Sequence, residues 1–179
     1  MTPADNTDPG RGYGIIGIVV AAVLIFVFLR LWNRQADTAV LYRQAPGFAL
    51  QDYNGREVKL SDFRGKAVLI NVWSSWCPFC KEELLVLAEV QKEFGDKITI
   101  AAIDRTEPLE IAKKYSDQLG ITDKFIFLLD PSDVFYQSIG GFSMPETIFV
   151  DKEGMIVFHK RGPMRANEVR RRVQEAFGL

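Results

Sequence analysis

The chain has 179 residues, a net charge of −1 and 47 % hydrophobic residues. That balance suits one globular domain with a sizeable core and excludes the strongly basic surface of a nucleic-acid binder. Its only cysteines are Cys77 and Cys80 and its only histidine is His159, too few for a disulfide framework or a four-ligand structural zinc site.

Residues 1–11 are polar, with Pro3, Pro9 and Gly10, and read as a disordered tail. Residues 12–32 read as a membrane anchor. Positions 12–29 carry no charge, Arg11 and Arg30 bracket them, and Trp32 supplies an interfacial aromatic. A hydrocarbon core of ~30 Å takes ~20 helical residues, which this run reaches with snorkelling arginines. A cleaved signal peptide fits less well. The run is long for one, and Gln35-Ala36-Asp37-Thr38-Ala39 is a poor cleavage site. Arg30, Arg34 and Arg43 against Arg11 lean towards a cytoplasmic domain, whereas two cysteines confined to one redox motif suit an oxidising compartment.

Residues 33–45 read as a linker, and 46–179 as one domain. Within it, Asn54-Gly55 predicts a hairpin between Phe48-Ala49-Leu50 and Glu57-Val58-Lys59-Leu60. Lys66 to Trp73 is a predicted buried strand, followed by a helix from Cys77 to Phe94 that Gly95 stops. A strand at Ile98 to Ile103, a helix at Glu107 to Leu119 with Pro108 in its first turn, and a strand at Phe125 to Leu129 follow. A short helix then opens at Asp130 and runs through Ile139. Strands at Thr147 to Val150 and Ile156 to His159 flank a hairpin turn, and Ala166 to Phe177 is the last helix. Alternating strands and helices with a terminal hairpin predict a three-layer α/β domain with a mixed sheet.

The motif Trp76-Cys77-Pro78-Phe79-Cys80 falls at the carboxyl end of a central strand, where open α/β sheets place their sites. Side chains three apart on a helix lie on one face, ~5–6 Å between Cβ atoms, within slight adjustment of a disulfide. So short a loop staples little, which favours a working bond over a structural one. Cys77, at the helix start, is the expected nucleophile, its thiolate favoured by free N–H groups and the helix dipole. Cys80 is the expected resolving thiol.

These residues, with Ala45-Pro46-Gly47-Phe48, Leu60-Ser61-Asp62-Phe63-Arg64-Gly65-Lys66 and Ser143-Met144-Pro145-Glu146-Thr147, resemble the membrane-anchored thioredoxin-like TlpA/ResA/CcmG branch of the redoxins. The likeness spans residues 46–179 and implies a thioredoxin-like fold. It implies a redox pair at Cys77 and Cys80, a tryptophan at Trp76 before the nucleophile, and a cis-proline at Pro145 facing the disulfide. Met144 would offer its backbone to an incoming peptide, and Glu83 would help set thiol pKa values and shuttle a proton. Asn71 stands where cytoplasmic thioredoxins carry a buried aspartate, shifting proton handling towards Glu83. His159 reads as an edge-strand side chain without a role.

The resemblance implies a membrane-anchored thiol–disulfide oxidoreductase with its domain on the periplasmic side. It would reduce extracytoplasmic disulfides, such as those of apocytochrome c during cytochrome c maturation. No cofactor, metal or nucleic acid is implied; the partners are protein thiols, a membrane thiol protein as electron donor and the bilayer, and the domain is expected to be monomeric. Two alternatives stay open. One is a redoxin-type thiol peroxidase, which needs a Thr or Ser ahead of a lone cysteine. The other is a copper-handling module, which favours Cys-x-x-x-Cys with a placed histidine.

Overall fold

The computed structural model describes residues 18–28 and 43–179, which belong to two separate units, one N-terminal and one spanning Val40–Leu179. In the first, residues 18–28 form helix α1. No helix among the described residues is long and apolar enough to cross a membrane. The rest of the expected anchor at 12–32, the tail at 1–11 and nearly all of the linker at 33–45 lie outside the described residues.

The second unit is built on one eight-stranded mixed sheet. Its strands are β1 (Arg43–Gln44), β2 (Ala49–Asp52), β3 (Glu57–Lys59), β4 (Ala67–Trp73), β5 (Ile98–Arg105), β6 (Ile126–Asp130), β7 (Glu146–Val150) and β8 (Met155–Arg161). Its helices are α2 (Cys80–Phe94), α3 (Leu109–Leu119), α4 (Val134–Ser138) and α5 (Ala166–Phe177). The spatial order is β1-β8-β7-β4-β5-β6-β2-β3. β4, β5 and β6 pair in parallel, joined by α2 and α3 as crossovers; every other pairing is antiparallel.

All seven residues of β4 are buried, as expected of a central strand covered on both faces. Alternation divides them. Leu69 packs with Leu87, Val90, Phe149, Phe158, Val169 and Val173 under α2 and α5. Val68, Ile70 and Val72 pack on the other face with Phe63, Phe135 and Ile139. Asn71 and Trp73 therefore share the α2 face with Leu69. The Asn54-Gly55 turn forms as expected, with Gly55 at φ 77° in the left-handed region that glycine adopts freely.

Three helix starts differ from the sequence reading. Helix α4 opens at Val134, because Asp130 ends β6 and its carboxylate accepts the Val134 and Phe135 amides from below the helix start. Helix α2 begins at Cys80, and Cys77-Pro78-Phe79 form the turn before it, where the Cys80 amide donates to the Cys77 carbonyl at 3.3 Å. A regular helix holds i and i+3 Cβ atoms wider apart than a disulfide spans, so the turn leaves the helix to let the sulfurs meet. Pro108 caps α3 from outside with extended backbone, which its missing N–H makes costless.

The basic C-terminal helix is largely neutralised. Arg170 pairs with Glu93 at 2.6 Å, Arg171 and Arg172 pair with Glu175, and Lys160 pairs with Glu168. The Arg172 guanidinium also lies 4.0 Å from the centre of the Phe158 ring.

Candidate active site

Cys77 and Cys80 are joined by a disulfide, with Cα atoms 5.4 Å apart. Both residues are buried, within a cluster that includes Trp73, Leu84, Ala102 and Phe127, and Met144 packs against it. The two residues beside the sulfurs are not buried: Trp76 is 61 % exposed and Phe79 56 % exposed. The disulfide thus sits low between two aromatic rims. No side chain caps α2, so its first N–H groups are free of the usual Ser, Thr or Asp partner.

Glu83 lies one turn into α2, on the same buried face as Cys80, with 1 % of its surface exposed. Its Oε1 accepts from the Thr147 hydroxyl at 2.7 Å and from Asn71 Nδ2 at 3.4 Å; its Oε2 accepts the Met164 amide at 3.2 Å. Asn71 Nδ2 also donates to Thr147 Oγ1 at 2.9 Å. The register explains the meeting, because Asn71 and Thr147 are paired across β4 and β7 and face α2 together. Burial pushes the Glu83 carboxyl up to about 7; the Thr147 and Met164 bonds pull it down, but less.

The Met144–Pro145 peptide is cis, and Met144 lies between the disulfide and Arg105. Arg105, at the end of β5, donates from Nε and Nη2 to Asp133 at 2.8 and 2.5 Å, and from Nη1 to Met144 Sδ at 3.1 Å. Its guanidinium lies 3.8 Å from the Tyr136 ring centre and 6.0 Å from that of Trp76. The hydrogen-bonded Asp133 carboxylate raises the Arg105 pKa further. Gly141 has room for no side chain, since an added Cβ would stand 2.4 Å from the Tyr136 ring. Arg105→Lys keeps the charge but loses the fork and the stacking, and is expected to destabilise the domain by about 1–2 kcal/mol in urea denaturation.

A second acidic group flanks the motif from the β5 side. Glu107 Oε2 accepts the Ser75 amide at 2.6 Å and Oε1 the Ser75 hydroxyl at 2.5 Å, while Asp104 Oδ1 accepts the Glu107 amide at 3.2 Å. Asp104 is wholly buried; desolvation first, then the Glu107 carboxyl, push it up to about 9.

Of the residues expected from sequence, Trp76, Cys77, Cys80, Met144 and Pro145 gather at one end of the sheet. Glu83 sits below them with Asn71. His159 is not an outward edge residue. Its side chain is 4 % exposed, with Nε2 3.3 Å from Glu146 Oε1 but without hydrogen-bond alignment. The reason is phase, since His159 and Glu146 occupy the same face of the β7–β8 ladder. The sequence reading missed Asp104, Arg105, Glu107 and Thr147. A carboxylate at the carboxyl end of a parallel strand beside the motif strand was the available signal for Asp104.

A buried cysteine pair at the carboxyl end of the central strand, on a thioredoxin-like sheet, defines a thiol–disulfide oxidoreductase. Residues 42–176 match the Redoxin family, and the chain belongs to it. It is 27 % identical over 161 residues to thiol-disulfide oxidoreductase ResA of Geobacillus thermodenitrificans (strain NG80-2), covering 89 % of this chain and 91 % of that one. It is 31 % identical over 166 residues to thiol:disulfide interchange protein DsbE of Allochromatium vinosum, covering 90 % and 89 %. The crystal structure of a putative thiol:disulfide interchange protein DsbE from Chlorobium tepidum superposes with a TM-score of 0.68 at 25 % identity, over 74 % of this chain and 94 % of that one. The chain is thus an oxidoreductase of the ResA/DsbE type, acting on protein thiols and disulfides.

Proposed function

We propose that the protein is a membrane-anchored reductant of extracytoplasmic protein disulfides, with apocytochrome c as the substrate class that the ResA and DsbE likeness favours. The carrying observation is the buried Cys77–Cys80 pair with the buried Glu83 carboxyl one turn below it. The Cys77 thiolate attacks one sulfur of a substrate disulfide, forming a mixed disulfide and expelling one substrate thiolate. The Cys80 thiolate then attacks the Cys77 sulfur and expels the second substrate thiolate. Two electrons pass to the substrate, whose thiolates take up two protons, and the enzyme is left as the disulfide. Glu83, poised near neutrality, takes the Cys80 proton as that thiol becomes the attacker. Met144 presents its backbone to the substrate segment, with Pro145 beside the sulfurs and Trp76 on the rim.

The uncharged run at 12–29 supports the anchor, and a membrane thiol protein would return the enzyme to its dithiol form. Charge alone favours the cytoplasmic side only weakly, because long domains translocate largely regardless of it. Cys80→Ser expressed in cells is expected to accumulate mixed disulfides with extracytoplasmic proteins, resolved by non-reducing electrophoresis and mass spectrometry. Absence of any trapped partner, or partners drawn only from the cytoplasm, overturns the reading.

A further inference from the structure

Glu83 approaches the motif from the β7 side of β4. The Asp104–Glu107 pair approaches from the β5 side, and the exchange chemistry above makes no use of it. Its geometry is specific. One carboxylate takes both the amide and the hydroxyl of Ser75, two residues before the nucleophile, in two short charge-assisted bonds. Ser75 belongs to the turn that leaves β4, and the Cys77 amide closes onto the Ser74 carbonyl in that turn. Asp104 stands opposite Trp73 in the β4–β5 register, so the strand pairing itself sets the height of the clamp. Glu107 also lines a cleft of about 590 Å³ with Phe48, Leu50, Leu129 and Phe135, whereas Asp104 is wholly buried behind it.

We propose that Glu107, held by Asp104, is a positioning residue for the nucleophile: it fixes the Ser75–Trp76–Cys77 turn and, by its charge, raises the pH at which Cys77 ionises. The inference rests on Cys77 being the attacking thiol. Burial first, then the neighbouring Glu107 carboxyl, push Asp104 up to about 9, so it holds its proton beneath the clamp. A negative charge near the turn opposes thiolate formation, whereas the N-terminal end of the α2 dipole, which no side chain caps, favours it. The groups facing the pair are Tyr53 from the β2–β3 turn, which meets both carboxyls, and Tyr115 on α3, which meets Glu107. On the Cys77 side, the first turn of α2 carries Lys81, Glu82 and the buried Glu83, and Arg105 at the end of β5 lies against Trp76 and Met144.

The test uses the full chain in its reduced form, with peptide-resolved iodoacetamide alkylation of Cys77 followed from roughly pH 4 to 10. Turnover of a protein disulfide is measured alongside. Glu107→Gln is expected to lower the alkylation inflection by about half a unit or more, because it removes a like charge. Ser75→Ala keeps the charge and is expected to leave the inflection near its wild-type position while lowering turnover roughly fivefold. Glu107→Gln/Ser75→Ala is expected to turn over no more slowly than the worse single variant, because both act through one contact. An unmoved inflection in Glu107→Gln, or turnover losses that multiply in the double variant, overturns the proposal. If Glu107→Gln does not fold, Ser75→Ala with wild-type turnover overturns it equally. A wild-type chain inert towards disulfides would instead strike at the proposed function, and the alkylation profile would still decide whether Glu107 governs Cys77.

Discussion

Cys77→Ser is expected to abolish reduction of a protein disulfide, lowering the rate by about three orders of magnitude or more. A serine hydroxyl does not ionise near neutrality and forms no exchangeable bond to sulfur. The chain has no third cysteine to substitute, and Cys80 is wholly buried at the first position of α2. The companion variant separates the two half-reactions. Cys80→Ser retains the attacking thiol, so it should release one substrate thiol per enzyme in a burst and then stall, because nothing remains to break the mixed disulfide. Rapid mixing of each reduced variant with a small disulfide protein, quenched with acid, alkylated and resolved by mass, reads both outcomes on the substrate's own thiols and on the mixed disulfide, since exchange leaves the total thiol count unchanged. Residual multiple turnover in Cys77→Ser above a tenth of wild type would falsify the assignment of roles.

The second large effect is a pH dependence of stability that Glu83→Gln removes. The native chain holds the Glu83 proton up to about pH 7, whereas the group's ordinary value is 4.5. Between those values the native state is protonated and the unfolded state has already lost its proton. The native state therefore binds more protons there, and stability falls as pH rises. The contribution is complete below pH 4.5 and is lost through about pH 7, by on the order of 3 kcal/mol. Asp104 acts with the same sign over a wider window, from 3.8 to about 9. Urea denaturation of the oxidised wild-type domain should therefore show stability declining from acid towards alkaline pH. Glu83→Gln, neutral throughout, should flatten the part between roughly pH 5 and 7 and leave the decline due to Asp104. A glutamine variant with the wild-type slope in that interval would assign the titration to another group. The variant's cost is one acceptor, because a glutamine can offer its single carbonyl oxygen to the Met164 amide or to the Thr147 hydroxyl but not to both.

The fold was largely legible because its central strands are continuous apolar runs between glycine and proline signals, and because Asn54-Gly55 names its own turn. The two-residue strand β1 carried no such signal, since it exists only by pairing with β8, more than a hundred residues on. Helix α2 started late because the disulfide, a bond between side chains, overrides the local helical pattern. The motif itself was legible from two cysteines and their spacing. Its proton-handling surroundings were less so. Asn71, Glu83 and Thr147 meet through the β4–β7 register, and register is not written in any one segment. Arg105 finds Asp133 across 28 positions, and Ser75 finds Glu107 across 32. Loop carboxylates such as Glu107 read as solvated in a sequence; only the crossover that returns α3 beside β4 buries them against the motif.

The short span between Cys77 and Cys80 has a thermodynamic consequence. A bond that closes so small a loop scarcely restricts the unfolded chain. The unfolded protein then behaves towards electrons almost as a free peptide dithiol, and every departure from that reference is the work of the folded surroundings. Around the cycle linking folding and oxidation, the native potential differs from the peptide's by the difference in unfolding free energy between the two redox forms. A domain that donates electrons is one whose disulfide form resists unfolding better than its dithiol form. Two denaturation curves, one with reductant and one without, would thus reveal in which direction this protein prefers to pass electrons before any partner has been found.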